Sequence, residues 1–277
     1  MDFNLCNLNN VNILTTISLF QSVLLVFSNH AVPDPVSDFE ILGDYNVYYS
    51  VNKTKEVLMK YYNRSNEIKR LVEEFDFRCA KSKLNFAKHF PFITVESAYR
   101  RTRSVVAQKV AKKVGGRMVG NPPQYMTLSN YFFNDTMELR RAFYSLGVYA
   151  ASCRIKEFLA TSTVVVAGYW IDQTAFGIAK MFETLPPETS PVYEWPKDLL
   201  RPDRVYLINT GSSLPPIPLH PYKPMRTYSF KDKLLEATGR FKNPSVTEIS
   251  TTNDYDDIVR ILVHLVNKHF NTSFPAK

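Results

Sequence analysis

Residues 97–104 form a predicted turn in the place where a phosphate-binding loop could lie. The preceding residues, 90–96, are apolar up to Glu96 and predict a buried strand, and the basic run 104–117 predicts a helix. A strand, a tight turn and a helix are the setting of the motif G-x-x-x-x-G-K-[ST], whose glycines let backbone N–H groups surround phosphate and whose lysine reaches the β- and γ-phosphates. Both glycines and the lysine are missing here, and only the final hydroxyl, Ser104, matches.

The substituted positions leave two interpretations open. Ser97 and Thr102 stand where the motif has glycine, and Arg103 stands where it has lysine. One interpretation is a remodelled anion site at a helix N-terminus, because arginine is always charged and still attracts phosphate. The other, which the lost glycines favour, is an ordinary strand-to-helix turn with solvated arginines, since some positions of a phosphate loop need backbone angles that a Cβ disfavours.

Three later segments carry a family resemblance. They are residues 139–149 (LRRAFYSLGVY), residues 164–179 (opening VVVAGYW) and residues 192–203 (VYEWPKDLLRPD). In this order they resemble the thymidylate kinase superfamily, and most closely its mitochondrial UMP-CMP kinase branch, from about residue 90 to the C-terminus. The resemblance implies a P-loop NTPase-like α/β fold, a doubly wound parallel sheet with helices on both faces. It also implies transfer of the γ-phosphoryl group of ATP to a pyrimidine nucleoside monophosphate.

The resemblance also assigns site residues one at a time. The family's phosphate-loop lysine falls on Arg103, its Mg²⁺-binding hydroxyl on Ser104 and its base-stacking aromatic residue on Phe143. The nucleotide-binding residues expected on this basis are Glu96, Arg103, Ser104, Arg140, Arg141 and Phe143.

Several functional positions of the family are substituted in this chain. The aspartate of its phosphate loop falls on Tyr99, and its Asp-Arg pair, which supplies a carboxylate near the metal and a guanidinium for the acceptor phosphate, falls on Ala167 and Gly168. Its arginine-rich lid corresponds to residues 211–224, which are proline-rich and contain no arginine. Each of these parts contributes orders of magnitude to phosphoryl transfer, which depends on positioning and electrostatic stabilisation.

The sequence therefore predicts a thymidylate-kinase-like pseudoenzyme, a binding or regulatory protein with no catalytic residues and no cofactor. Its expected ligand is a protein partner or a weakly bound nucleotide, and the family's frequent dimers suggest a homodimer. The alternative is a divergent nucleoside monophosphate kinase acting on dTMP, UMP or CMP. In that case Arg103 and Ser104 hold ATP and Mg²⁺, with Ser104 as the metal ligand, and Arg140 or Arg141 binds the acceptor phosphate.

Charge and cysteine content give weaker indications. The net charge is +8, and basic residues recur on one face of the predicted helix that follows the turn, which is typical of a solvated face. No aromatic residues are interleaved with them, so nucleic acid is not an expected partner. The three cysteines, Cys6, Cys79 and Cys153, have neither zinc-site spacing nor a disulfide framework, which favours a reducing, intracellular compartment, cytoplasmic or mitochondrial.

Three regions are expected along the chain. Residues 1–35 are an apolar N-terminal segment and linker, residues 36–89 a helical extension, and residues 90–277 the thymidylate-kinase-like domain. The uncharged stretch 13–27 is interpreted either as a packed helix or as a signal or anchor. Glycosylation sequons at Asn52, Asn63, Asn134 and Asn271 matter only if the chain is secreted.

The predicted order of elements alternates strands and helices, which itself favours a parallel doubly wound sheet. Strands are expected at 90–96, 162–167, 204–209 and 246–249, and helices at 51–75, 79–88, 104–117, 136–160, 170–183, 228–239 and 254–270.

Overall fold

The computed structural model describes residues 37–45, 47–82, 89–127, 130–210, 228–251 and 254–274. Within them the chain forms a five-stranded sheet in the order β2-β3-β1-β4-β5, in which every neighbouring pair is parallel. The α/β fold predicted from the sequence is confirmed. The strands are β1 (Phe92–Glu96), β2 (Arg117–Val119), β3 (Val164–Ala167), β4 (Arg204–Asn209) and β5 (Val246–Ser250).

Helices cover both faces of the sheet. They are α1 (Asp38–Asp44), α2 (Val51–Lys60), α3 (Asn66–Ala80), α4 (Arg100–Lys113), α5 (Gln124–Thr127), α6 (Met137–Leu159), α7 (Trp170–Met181), α8 (Tyr228–Gly239) and α9 (Tyr255–Phe270). In β3, Val164 and Val166 belong to a core shared with α2, α3, α6, α7 and α8, whereas Val165 belongs to a second core with α4 and α9. Successive strand residues point to opposite faces, so the short apolar strands supply both cores.

Most predicted elements are confirmed, with two corrections at the extension and one at α4, which spans Arg100–Lys113 instead of 104–117 and is followed by β2, a strand that was not predicted. The predicted helix 51–75 is divided by a short 3₁₀ turn, Tyr62–Arg64, because Ser65 caps a new helix there by accepting a hydrogen bond from the Glu67 N–H. The prediction of a separate helix from residue 79 is wrong, since Cys79 belongs to the last turn of α3. Residues 83–88, the apolar stretch 13–27 and the lid 211–224 lie outside the described residues.

Side-chain caps fix where four of the helices begin. Each capping oxygen accepts a backbone N–H of the first helical turn, which has no partner within the helix. The caps are Ser50 for α2, Ser65 for α3, Thr136 for α6 and Asp254 for α9. No helix in the described part of the chain is long and apolar enough to cross a membrane.

A disulfide between Cys79 and Cys153 corrects the expectation drawn from cysteine spacing. The two residues are 74 positions apart in sequence, but α3 and α6 carry them to a Cα–Cα distance of 5.3 Å. Cysteine spacing alone does not reveal which helices pack together, so it gave no sign of this pairing. The disulfide ties α3 to α6.

We expect this disulfide to stabilise the folded chain by restricting the unfolded one. Replacing both cysteines with alanine should lower the free energy of unfolding by about 2–4 kcal/mol, measured by urea denaturation. A reducing agent should lower the stability of the native sequence to the level of the variant and leave the variant unchanged. Equal stability of the two proteins without reductant would contradict the assignment.

Candidate functional site

The candidate site lies at the carboxyl ends of β1 and β3, beside the N-terminus of α4. Glu96 is the last residue of β1, and Val95 pairs with Ala167, the last residue of β3. In open α/β sheets ligands bind at the carboxyl ends of strands, where successive connections leave in opposite directions. Here the connection from β1 leads to β2 in one direction across the strand order, and the connection from β3 leads to β4 in the opposite direction. We call this region the candidate cleft.

Arg103 forms an ion pair inside the candidate cleft. Its Nη1 and Nη2 donate to Oδ1 and Oδ2 of Asp172 at 2.5 and 2.6 Å, and Nη1 also donates to the Ser97 carbonyl at 3.2 Å. The side chains are only 14% and 29% exposed. Bidentate pairs of this kind are among the stronger polar contacts in proteins. The cation at the lysine position of the motif is therefore bound to the protein's own carboxylate.

Gly168 makes room for the Arg103 side chain. It has a φ of +71°, and a Cβ at this position would lie 2.8 Å from Arg103 Nε. Its carbonyl accepts a hydrogen bond from Asn121 Nδ2 at 2.9 Å, which holds the turn in place. A side chain at position 168 would therefore compete for space with the side chain of Arg103.

Tyr99, at the start of α4, is covered by a cation from α8. Lys231 Nζ donates to the Tyr99 hydroxyl at 3.0 Å and lies 4.2 Å from the centroid of its ring. Tyr99 occupies the N-cap position of α4, and its side chain makes no capping hydrogen bond. Two residues of the turn region are thus bound by other side chains of the protein: Tyr99 by Lys231, and Arg103 by Asp172.

Glu96 is buried beneath the ion pair. It is 2% exposed, and its Oε1 accepts the Tyr169 N–H at 3.0 Å, while Oε2 has no hydrogen-bond partner. Burial, together with the nearby Asp172 carboxylate, raises the pKa of Glu96 to about 8, although Arg103 and the Tyr169 N–H act to lower it. Near neutral pH Glu96 is therefore largely protonated, and Asp172 is the carboxylate that balances Arg103.

The predicted site residues on α6 lie in other surroundings. Arg141 donates to the Tyr45 hydroxyl, and its guanidinium lies 4.3 and 5.6 Å from the ring centroids of Tyr45 and Phe176. Arg140 is exposed. Phe143 is fully buried, with its ring centroid 4.5 Å from that of Phe133, so in this structure the ring is enclosed by protein.

Only part of the predicted set is brought together. Glu96 and Arg103 meet in the candidate cleft, and Ser104 follows in α4 with a half-buried side chain. Among the described residues no group of three or more His, Cys, Asp or Glu side chains could hold a metal ion. A Mg²⁺ ion would therefore depend on Ser104, phosphate oxygens and water, with Asp172 already engaged by Arg103.

Asp172 was not identified from the sequence. It is the only acidic residue of α7, in the first turn of an otherwise mostly apolar helix that follows β3. An isolated acid at such a position is a usable signal, because a charge at the buried end of a helix needs a partner. Nothing in the spacing, however, relates it to Arg103, which lies 69 residues earlier.

We expect Glu96 to make the protein less stable as the pH rises. Its pKa in the folded chain lies above the value of about 4.3 for an unperturbed glutamate, so between pH 4 and 8 the unfolded state loses this proton and the folded state retains it. The stability of native protein relative to Glu96→Gln should fall across that window by up to about 1.4 kcal/mol per pH unit. Thermal unfolding between pH 4 and 9 measures this difference, and parallel curves for the two proteins would contradict it.

The steric link between Gly168 and Arg103 is also testable. Gly168→Ala should destabilise the protein by more than Gly115→Ala, because Gly115 has a similar φ of +59° but no atom within 4 Å of the position that a Cβ would take. When Arg103 is replaced with alanine, Gly168→Ala and Gly115→Ala should destabilise the protein by similar amounts. The coupling energy between positions 168 and 103 should be about 0.5–3 kcal/mol. Chemical denaturation of the single and double variants gives the cycle, and strict additivity would rule out the proposed contact.

Comparison with known proteins gives a distant relative that is named as a kinase. No protein-family model matches the chain. Over 127 residues it is 29% identical to the mitochondrial UMP-CMP kinase 2 of Homo sapiens, an alignment that covers 44% of this chain and 28% of that protein. The chain thus spans less than a third of the relative's length. With the parallel sheet described above, this similarity identifies a kinase-like protein with a P-loop NTPase-like fold.

Proposed function

We propose that this chain is a thymidylate-kinase-like pseudoenzyme that does not transfer phosphoryl groups and acts as a binding or regulatory protein. The observation that carries the proposal is the bidentate pair of Arg103 and Asp172 at the position of the family's phosphate-binding lysine. A lysine that binds phosphate must present its charge to the ligand, whereas this guanidinium is directed to an internal carboxylate.

The energetic argument follows from the surroundings of that pair. Recruiting Arg103 to a triphosphate would separate it from Asp172, next to the buried Glu96. Removing one partner of a largely buried ion pair leaves an uncompensated charge, which costs about 3–5 kcal/mol for fully buried pairs and less here. Once Arg103 has turned to the triphosphate, Asp172 has no partner. The negative charge of the triphosphate would then lie close to the unpaired Asp172 carboxylate.

The alternative remains a divergent nucleoside monophosphate kinase acting on dTMP, UMP or CMP. It requires Arg103 and Ser104 to hold ATP and Mg²⁺, and Arg140 or Arg141 to bind the acceptor phosphate. Arg103 would have to leave Asp172, and Arg141 would have to leave Tyr45 and Phe176. The exposed Arg140 is the cation of this set that could bind an anion without such a loss.

Cofactors, partners and compartment follow from the favoured proposal. No cofactor is needed, the ligand is a protein partner or a weakly bound nucleotide, nucleic acid is not proposed, and self-association is a proposal that rests on the family resemblance alone. The distant relative's name includes a mitochondrial location. The disulfide between Cys79 and Cys153 instead favours an oxidising compartment over the reducing cytoplasm.

We expect the folded protein to give no heat of binding when it is titrated with Mg-ATP in an isothermal calorimeter. UMP, CMP and dTMP should bind weakly or not at all, because Phe143 is enclosed. Folding of each sample is verified by its thermal unfolding transition. Micromolar binding of Mg-ATP together with a monophosphate, followed by turnover, would establish the kinase alternative.

A matched variant separates the effect of the missing lysine from the effect of the missing glycines of the phosphate-loop motif. Arg103→Lys combined with Asp172→Asn restores the family's lysine and frees it from its partner. We expect no turnover from this variant either, because Ser97 and Thr102 still carry side chains at the glycine positions. Turnover by the native sequence that falls in Arg103→Ala would refute the pseudoenzyme.

A further inference from the structure

The disulfide between Cys79 and Cys153 constrains where the chain folds. Structural disulfides form and persist in oxidising compartments and are rare in the cytosol, where thiols are kept reduced. The bond joins α3 to α6 within the described core and is part of the fold. The secretory pathway is one such compartment, and it also modifies asparagine in the motif N-x-[ST].

The four sequons of the chain all present their asparagine at the surface. Asn52, Asn63, Asn134 and Asn271 are each exposed, and each lies at an end of an element or in a turn. Asn52 lies in the first turn of α2, Asn63 in the 3₁₀ turn before α3, Asn134 just before α6 and Asn271 at the end of α9. A bulky polar glycan can extend into solvent from such positions without entering the core.

The hydroxyl residues of three sequons are engaged once the chain has folded. Thr54 is fully buried and bonds to Ser145 Oγ at 2.9 Å. Ser65 and Thr136 accept the hydrogen bonds that cap α3 and α6. A transferase that must reach the hydroxyl would therefore act on these sequons before the helices form, as it does on a chain that is being synthesised into the secretory pathway.

We propose that this protein is made in the secretory pathway and carries N-linked oligosaccharides on Asn52, Asn63, Asn134 and Asn271. In each transfer the asparagine Nδ2 bonds to C1 of the first sugar, the C1–O bond to a lipid pyrophosphate donor breaks, and the amide loses one proton. In the same compartment the thiols of Cys79 and Cys153 lose two protons and two electrons to a disulfide of an oxidoreductase, which becomes a dithiol.

One sequence feature agrees with this proposal. The uncharged apolar stretch 13–27 has the length and composition of the hydrophobic region of a secretory signal, although the residues before it carry Asp2 and no lysine or arginine. None of the four asparagines is among the residues that form the candidate cleft, which are 96–104, Gly168, Asp172 and Lys231. The modification is therefore independent of whether that site binds nucleotide.

The test is expression of the full chain, with its own first 36 residues, in cultured animal cells. Treatment with an enzyme that removes N-linked glycans should lower the apparent mass of the protein on a denaturing gel. Each of Asn52→Gln, Asn63→Gln, Asn134→Gln and Asn271→Gln should remove one step of the mass ladder. Asn66→Gln, an exposed asparagine three positions from Asn63 and outside any sequon, should remove none.

Conservative variants and direct detection keep the test decisive. Thr136→Ser preserves both the sequon and the α6 cap and should retain the step that Asn134→Gln loses. Enzymatic deglycosylation converts modified asparagine to aspartate, so mass spectrometry of peptides from the native sequence reports each site without any variant. Unmodified asparagine at all four positions would overturn the proposal. If the disulfide were nevertheless intact, the chain would have folded in another oxidising compartment.

Discussion

The ion pair of Arg103 and Asp172 determines what the carboxyl end of the sheet can bind. A guanidinium that is 14% exposed needs a carboxylate beside it, and Asp172 supplies both oxygens. Glycine at position 168 leaves room for the arginine, and the proton on Glu96 keeps a second negative charge from the pair. These residues form one coupled unit, so a change at one of them alters the surroundings of the others.

The segment that resembles the kinase family most strongly, residues 192–203, supports the scaffold in this chain. Asp198 accepts the Val51 N–H at 2.7 Å and the Tyr149 hydroxyl at 2.9 Å, which joins the start of α2 to α6. The ring of Trp195 packs against Tyr169 and Trp170 at the beginning of α7. These contacts give residues 192–203 a structural role that does not depend on phosphoryl transfer.

Four of the five strands and the long helices were predictable because their signals are local, whereas β2 was missed because Arg117 was assigned to the end of the predicted helix 104–117. Short apolar strands, the 3.6-residue stripe of α9 and residues such as Asp254 that cap helices are readable within a few positions of one another. The ion pair and the disulfide were not predictable, because each joins residues about 70 positions apart. Motif spacing drew attention to Arg103, but only the fold reveals that Asp172 pairs with its charge.

A crystal structure of the protein grown with millimolar Mg-ATP tests the central claim most directly. The account predicts that Arg103 remains bidentate on Asp172 and that no phosphate lies at the N-terminus of α4. A triphosphate in the candidate cleft, with Arg103 turned away from Asp172 to contact it and Mg²⁺ on Ser104, would contradict the account and identify a rebuilt nucleotide site.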